Sequence, residues 1–164
     1  PAADPSITPH DIVVLARAMS EIRLATLQDI PRMSEIRLAV RENQLSDPGR
    51  ITVADYEDFV QGRGRSWVLE QDGPQGRQIV GFSAADGETA TIWALFVDPA
   101  HEGRGHGRRL LQPAVAWLWA RGAATVGLST APGTRADRFY RAGGWLVTGT
   151  SSHGELEFAL HRPD

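Results

Sequence analysis

The feature that most restricts the fold of this chain is a glycine-rich loop between an apolar run and a helix-like run. Residues 97–111 read VDPAHEGRGHGRRLL, with glycine at positions 103, 105 and 107. Glycines let the backbone take unusual angles and let a ligand approach the amides without a Cβ in the way. The first amides of the following helix are unpaired, and the helix dipole adds positive potential. The segment therefore predicts a strand, a loop and a helix N-terminus that could bind a pyrophosphate.

Taken alone, this loop has more than one interpretation. Arg104, Arg108 and Arg109 add positive charge and favour an anionic ligand, whereas a flexible loop or a tight turn needs no ligand. The loop is not a Walker motif, because it contains no Gly-Lys-Ser/Thr. A dinucleotide-binding fold is also disfavoured, since the chain has too few βαβ units.

The amino-acid composition further restricts the partners and reactions that are possible for this chain. The chain has 164 residues, 41% of them apolar and 23% charged, a balance that suits one globular domain. The net charge of −3 indicates no general surface for nucleic acid or membrane, and no apolar run approaches the roughly 18 residues of a membrane span. All 17 basic residues are arginine and cysteine is absent, which excludes disulfides, cysteine-ligated zinc and an acyl-cysteine mechanism. The five histidines show no metal-ligand spacing, so no metal is expected.

Hydrophobic periodicity predicts the element order βααβββαβαββ, with no internal repeat and no domain linker. The predicted strands span residues 21–25, 66–71, 78–84, 89–97, 124–130, 145–150 and 155–161. The predicted helices span about residues 26–43, 52–60, 107–121 and 134–142. Thr26 or Asp29 can cap the first helix, and Pro113 should bend the third without ending it.

The first eighteen residues, PAADPSITPHDIVVLARA, are interpreted apart from the rest. Their apolar stretch is short and lacks the basic lead-in of a secretory signal, whereas Met19 resembles a natural start. We expect residues 1–18 to be an N-terminal extension or an expression remnant, and residues 19–164 to form a single domain. The alternative is an N-terminal helix that packs on this domain. A cytoplasmic location is expected.

Several motifs in sequence order carry a family resemblance. A strand ends in Val97-Asp98-Pro99, and the run EGRGHGRRLL, an apolar helix, a further strand and FYRAGGW at 139–145 follow. This arrangement resembles the GCN5-related N-acetyltransferase (GNAT) superfamily over about residues 21–161, most strongly over 89–145. The resemblance implies an α/β (α+β) fold with a mixed, mostly antiparallel central sheet, splayed between the fourth and fifth strands and flanked by helices.

The resemblance also implies a cosubstrate and a bacterial-type enzyme. An acetyl group would pass from acetyl-coenzyme A (acetyl-CoA) to an amine of a small molecule or peptide by direct attack in a ternary complex. Backbone groups of Leu95, Phe96 and Val97 would bind the pantetheine arm. The pyrophosphate would lie on the loop and helix start, at Gly103, Arg104, Gly105, His106, Gly107, Arg108 and Arg109. Glu102 departs from the Gln or Arg usual at its position, so its side chain should point away from the pyrophosphate.

The resemblance indicates Tyr140 as a general acid that protonates the departing thiolate, with packing in the core as the alternative. The base is left open, because Thr91 occupies the strand position where many relatives carry Glu. Glu88 and Glu42 could act through water, and each could also be a solvated surface carboxylate. His101 and His106 are assigned to the phosphate loop instead.

The acceptor pocket should lie between the first two helices, the loop at 44–52 and the hairpin end at 151–155. Arg37 and Arg41 share a helix face and could hold a substrate carboxylate, although a solvated face is favoured. Trp93 could stack in the pocket or belong to the core. Relatives often use an Asn near the start of the last helix to contact the pantetheine arm. Ser129, Thr130 or Thr134 could supply that contact here, although a plain helix N-cap is favoured for Thr134.

Alternative functions remain open at this stage. Without the strand Glu, the chain could be a catalytically inactive CoA-binding regulatory module. Transfer to a hydroxyl group, or of a longer acyl chain, is a further possibility that the pocket volume near Trp93 would decide. A homodimer is possible, and no nucleic-acid or membrane partner is expected.

Overall fold

One mixed β-sheet organises the protein. The structure, a computed structural model, describes residues 8–10, 20–40 and 51–164. In these ranges seven strands form one sheet in the order β1-β2-β3-β4-β5-β7-β6. The strands are β1 (Ser20–Leu24), β2 (Gly64–Gly73), β3 (Gly76–Asp86), β4 (Thr91–Val97), β5 (Thr125–Thr130), β6 (Leu146–Thr150) and β7 (Leu156–His161). All neighbours are antiparallel except β4 and β5, which confirms the predicted fold class.

The helices are α1 (Ile30–Ala39), α2 (Val53–Gln61), α3 (His106–Ala120) and α4 (Arg135–Ala142). Thr52 and Thr134 cap α2 and α4, because each side-chain oxygen accepts the N–H of the residue three positions on at 3.2 Å. Such caps satisfy amides that a helix start leaves unpaired. Helix α3 continues through Pro113, as expected. None of the described helices is long and apolar enough to cross a membrane.

Helix α1 is shorter than the sequence predicted. It begins after a 3-10 turn at Leu27–Asp29 and ends at Ala39 rather than near residue 43. Val40 is extended, at φ −78° and ψ 106°, and its amide bonds to the Arg37 carbonyl at 3.3 Å. This bond closes a tighter last turn, and the β-branched Val40 has a low helix propensity, which explains the early end.

Strand β4 begins at Thr91 rather than at residue 89, because a turn occupies the preceding residues. The Asp86 carboxylate accepts the backbone N–H of Glu88 at 2.9 Å and of Thr89 at 3.3 Å. Ala90 then takes a positive φ of 55°, which a regular strand does not allow. Glu88 therefore lies in the β3–β4 turn.

Two apolar layers, one on each face of the sheet, form the core. Trp67 and Leu69 of β2 belong to the layer under α3, whereas Val68 between them belongs to the layer under α1 and α2. This alternation follows from strand geometry, in which successive side chains point to opposite faces. The helices contribute Leu110, Ala114, Val115 and Leu118 on one face and Ile30, Met33, Ile36, Tyr56 and Phe59 on the other.

Strands β4 and β5 separate along the sheet. Their ladder has a single pair, Thr91 with Gly127, and the Gly127 amide donates to the Ala90 carbonyl at 3.0 Å. Beyond this pair, both strands continue without pairing to each other. The predicted splay between the fourth and fifth strands is confirmed, and it leaves backbone groups on one edge of β4 without a partner strand.

A bulge on β4 lies beside this opening. The register between β3 and β4 passes from Ala84 opposite Ala94 to Ala85 opposite Ile92, which leaves Trp93 as the extra residue. Bulges increase the local twist and redirect side chains, and they are frequent next to functional sites. The bulge therefore places Trp93 beside the separated strands.

Candidate functional site

A cleft of about 660 Å³ occupies the opening between β4 and β5. Its walls come from residues 92–97 of β4, residues 101–103 and 105–108 of the loop and α3, residues 128–131 around the end of β5, and residues 134–136, 139 and 140 around α4. Val40 and Glu155 complete the lining. The fold thus brings together most of the residues that the sequence predicted to bind a cosubstrate.

The glycine-rich loop presents backbone amides to this cleft. Gly103 and Gly105 have positive φ values of 75° and 80°, which glycine adopts without steric cost. Gly105 is the N-cap of α3 and has no side chain to cap it, and the first backbone bond of the helix runs from the Arg109 amide to the Gly105 carbonyl at 3.2 Å. The amides of residues 106–108 are thereby available to an anionic ligand.

The sequence did not indicate that the His106 side chain is buried. It lines the cleft and is only 3% exposed, yet neither ring nitrogen has a hydrogen-bond partner among the described residues. Burial lowers the pKa of His106, and the nearby Arg109 and Arg104 lower it further. Buried polar atoms are nearly always paired, so this imidazole is suited to a hydrogen bond with a bound molecule or a water.

The three arginines of the loop do not act alike. Arg108 lines the cleft. Arg109 instead donates hydrogen bonds to the Ser20 hydroxyl and to the Ser20 carbonyl, the latter at 3.3 Å. Arg104 lies 3.4 Å from the His101 ring and is not part of the cleft wall. Of these three side chains, Arg108 is therefore the one on the cleft wall, whereas Arg109 is held by the first strand.

Tyr140 of α4 is buried at the floor of the same cleft. Its ring packs against Phe139, Trp145 and Phe158, with centroid separations of 5.2, 5.5 and 5.8 Å. Burial raises the pKa of the Tyr140 hydroxyl, so the group keeps its proton at neutral pH. Its oxygen makes no hydrogen bond within the described part of the chain. Tyr140 therefore both packs among aromatic residues of the core and lines the cleft.

A family model confirms the resemblance seen in the sequence. The model described as the acetyltransferase (GNAT) family matches residues 26–144, from the start of the first helical turn to the Gly-Gly pair after α4. The chain belongs to the GNAT family. Membership supports acetyl transfer with acetyl-CoA as its general chemistry.

Solved GNAT structures share the fold at low sequence identity. The ribosomal-protein-S18-alanine N-acetyltransferase of Escherichia coli has a TM-score of 0.68 at 21% identity, with 87% of this chain and 94% of that chain covered. The PaiA N-acetyltransferase of Thermoplasma acidophilum, solved with coenzyme A, has 0.74 at 14%, covering 87% and 99%. YncA of Salmonella typhimurium, solved with its cofactor acetyl-CoA, has 0.68 at 20%, covering 88% and 98%. The comparison with curated proteins finds no significant match.

An ion pair compensates for the unusual Glu102 of this GNAT chain. The Glu102 carboxylate accepts a hydrogen bond from the Arg135 guanidinium at 2.7 Å, and both residues line the cleft. Arg135 is the first residue of α4, close to the position where relatives often use Asn. The pairing neutralises the acidic group beside the helix N-terminus, which would otherwise repel a pyrophosphate.

The two predicted base candidates are not found in the described cleft. Glu88 is 65% exposed, with its carboxylate 3.6 Å from the Arg63 guanidinium, and it does not line the cleft. The expectation that Glu88 could reach an acceptor through water is therefore not supported, because the turn holds it away from the opening. Glu42 lies outside the described residues. Thr91 bonds to Thr89 at 2.8 Å through their hydroxyl groups.

The predictions for the side chains around the acceptor pocket differ in how they compare with the structure. Trp93 both lines the cleft and packs in the core, stacked on Phe59 at 4.1 Å and edge-on to Tyr56 at 5.4 Å. Arg37 is only 5% exposed and donates to the Tyr56 hydroxyl at 2.7 Å, so the favoured solvated face is wrong for this residue. Arg41 lies outside the described residues.

Two further observations complete the site. Across residues 8–10, 20–40 and 51–164, no group of three or more His, Asp or Glu is arranged to hold a metal ion. Glu155, in the hairpin that the sequence placed beside the acceptor pocket, lines the cleft, although no chemical role was predicted for it. Only the three-dimensional arrangement distinguishes it from the other surface carboxylates.

Proposed function

We propose that this chain is an N-acetyltransferase that moves an acetyl group from acetyl-CoA to an amine of a small molecule or peptide. The observation that carries the proposal is the cleft between β4 and β5, bordered by the uncapped N-terminus of α3. Family membership supports acetyl transfer in general. That the acceptor is an amine goes beyond what family membership supports, and it is the more specific part of the proposal.

The residues present fit acetyl-CoA. Leu95, Phe96 and Val97 line the cleft where β5 no longer pairs with β4, so backbone groups on this open edge of β4 are suited to hold the pantetheine arm. The pyrophosphate would take the loop and helix start, at Gly103, Arg104, Gly105, His106, Gly107, Arg108 and Arg109. The left-handed glycines and the unpartnered His106 ring support this placement. When bound, acetyl-CoA supplies an activated acetyl group for direct attack by the amine in a ternary complex.

Residues of the chain then assist the transfer. A β4 amide is proposed to donate to the carbonyl oxygen on which negative charge develops, an arrangement worth several kcal/mol when the donor is preorganised. Tyr140 is proposed to give its proton to the departing sulfur, since its raised pKa keeps the hydroxyl protonated until then. Direct attack needs no nucleophile from the protein, which agrees with a chain that lacks cysteine.

The proposal is tested by offering the purified protein acetyl-CoA with a library of amines and following thiol release. We expect release that depends on an added amine and saturates with acetyl-CoA, together with an acetylated amine detected by mass spectrometry. Thiol release that ignores every amine would contradict the proposed acceptor class.

A catalytically inactive CoA-binding module is the second candidate. Thr91 favours it, because a threonine at this strand position cannot accept a proton near neutral pH. The same library separates the candidates, since such a module would bind CoA in calorimetry and turn over no acceptor. A cytoplasmic location, a homodimer and the interpretation of residues 1–18 as an extension or expression remnant outside the domain stay predictions.

A further inference from the structure

The described part of the cleft contains two carboxylates, and they differ in their partners. Glu102 is held by Arg135 at 2.7 Å. Glu155 lines the cleft but pairs with no cation among the described residues, and its side chain is exposed. A carboxylate that faces a substrate cleft without a counter-ion is available to a cationic group of the substrate.

The backbone around Glu155 is held firmly. The Glu155 carbonyl accepts the Ser151 amide at 2.8 Å, and the Ser151 hydroxyl accepts the Glu155 amide at 3.1 Å. The next residue, Leu156, pairs with Thr130 at the end of β5, where that strand itself borders the cleft. Glu155 is thus anchored one residue beyond the sheet, at the cleft wall.

Charge is distributed unevenly around the cleft. The other charged and titratable residues that line it belong to the glycine-rich loop, α3 and α4, and they are His101, Glu102, His106, Arg108, Arg135 and Tyr140. That set is basic overall, because Arg135 neutralises Glu102, and it suits the anionic cosubstrate. Glu155 comes from the β6–β7 hairpin and gives this wall a negative charge, which suits a cation.

From this arrangement we propose that Glu155 binds the acceptor as an ammonium ion and accepts the proton that it must lose before attack. The proposal rests on the proposed function and names its substrate class, an aliphatic amine that is cationic in solution. The ammonium gives one proton to Glu155. As the C–N bond forms and the C–S bond breaks, sulfur takes the Tyr140 proton, and the second nitrogen proton restores Tyr140 through solvent. Glu155 then releases its proton to water.

The test compares Glu155→Gln with the parent chain, using tyramine, spermidine and a tripeptide with an N-terminal alanine as acceptors. For the acceptor that the parent acetylates fastest, kcat/KM at neutral pH should fall by about 10²-fold, the range of a lost general base. The loss should shrink as pH rises, because more of the amine then arrives as the free base. Calorimetry should show unchanged CoA affinity and weaker binding of the same amine to the CoA complex.

Glu157→Gln is the matched control, since Glu157 is an exposed carboxylate on β7 that does not line the cleft. This variant should keep the parent kcat/KM at every pH. A Glu155→Gln enzyme with parental kcat/KM, or with an equal loss at every pH, would overturn the assignment. If the parent acetylates none of the amines, the proposed function fails, and calorimetry with spermidine decides separately about Glu155. If the two proteins then bind spermidine equally, or if neither binds it, the assignment of Glu155 is overturned.

Discussion

Tyr140 shows how one side chain can serve both the core and the chemistry. Three aromatic rings surround it, and the same residue borders the cleft. Burial disfavours the phenolate, so the hydroxyl is a poor acid in the resting protein. A thiolate that forms beside Tyr140 would make proton loss from the hydroxyl favourable, because the negatively charged sulfur accepts the proton within the same low-dielectric space.

Replacing Tyr140 by phenylalanine removes the proton source and little volume. Turnover should fall by about 10²-fold or somewhat less, the lower range for a general acid, while the affinity for CoA stays the same. Initial rates and calorimetry measure the two quantities. Tyr56→Phe is the control, because Tyr56 is buried outside the cleft: loss of its hydroxyl removes the hydrogen bond of the buried Arg37 and should cost about 2–3 kcal/mol of stability, but turnover should stay parental. A full-rate Tyr140→Phe enzyme would refute the acid role, and equal losses of rate and CoA affinity would favour packing.

His106 gives the protein a pH dependence of stability with a defined sign. Its pKa in the folded state lies below the value of 6.5 expected for an exposed histidine, because burial and nearby arginines disfavour the imidazolium. Below pH 6.5 the unfolded chain therefore binds a proton that the folded chain does not. With respect to His106, the free energy of unfolding keeps its full value above that pH and decreases as the pH falls toward the folded-state pKa.

His106→Leu should remove this part of the pH dependence. Urea unfolding of both proteins at about pH 7.5 and about pH 5.5 measures it as a difference of two free energies. The parent should lose more stability on acidification than the variant does. Equal losses in the two proteins would show that the buried imidazole does not titrate as described.

At the scale of elements, the start of α3 combines a conformational requirement with a binding role. Gly105 takes a left-handed conformation as the N-cap, and the helix that it opens presents free amides to the cleft. Gly122, just after the other end of the same helix, also has a positive φ of 99°, and it lies outside the cleft. The two glycines therefore share a left-handed conformation that disfavours any residue with a side chain, and they differ in position.

Valine at either position should destabilise the fold by roughly 1–2 kcal/mol, the cost of a left-handed residue with a side chain. Gly105→Val should in addition block close approach of the pyrophosphate and abolish measurable CoA binding, whereas Gly122→Val should bind CoA like the parent. Calorimetry with CoA, after thermal unfolding has verified that both variants fold, makes the comparison. Parental CoA affinity in Gly105→Val would remove the basis for the phosphate loop.

The elements also show where sequence reasoning succeeds. The four α-helices and seven strands named above were each predicted, because caps such as Thr52 and Thr134 and alternating apolar runs are local signals. The glycine-rich loop was informative for the same reason, since its function depends on backbone conformation that glycine itself encodes.

Sequence reasoning fails where the answer depends on contacts between distant segments. Arg37 is buried because α2 brings Tyr56 to it, and Arg109 leaves the cleft because Ser20 of β1 binds it. Glu88 and Glu155 are both exposed glutamates after a glycine or a turn. Only the arrangement of β4, β5 and the β6–β7 hairpin places one of them at the cleft and the other away from it.

At the scale of the whole molecule, the family match and the described sheet begin close to the same point of the chain. The first strand starts at Ser20, and the family model matches from residue 26. The sequence before them has low periodicity and three prolines in residues 1–18. The described strands and the described core residues all lie at residue 20 or beyond.

A chain that starts at Met19 should keep the stability of the parent. The expected change in the free energy of unfolding is within about 1 kcal/mol, a typical magnitude for a single lost contact. Chemical unfolding of both chains measures it, and calorimetry with CoA checks that the cleft is intact. Insoluble or unfolded protein would show instead that residues 1–18 form part of the fold.

For the whole molecule, we propose that the cleft between β4 and β5 transfers acetyl groups from acetyl-CoA to an amine. This proposal is tested most directly by quantifying free CoA and acetylated amine together, over time, with the best acceptor from the library. We expect equal amounts of both products from the parent and neither from Gly105→Val. CoA release without acetylated amine, or full product formation by Gly105→Val, would contradict the account.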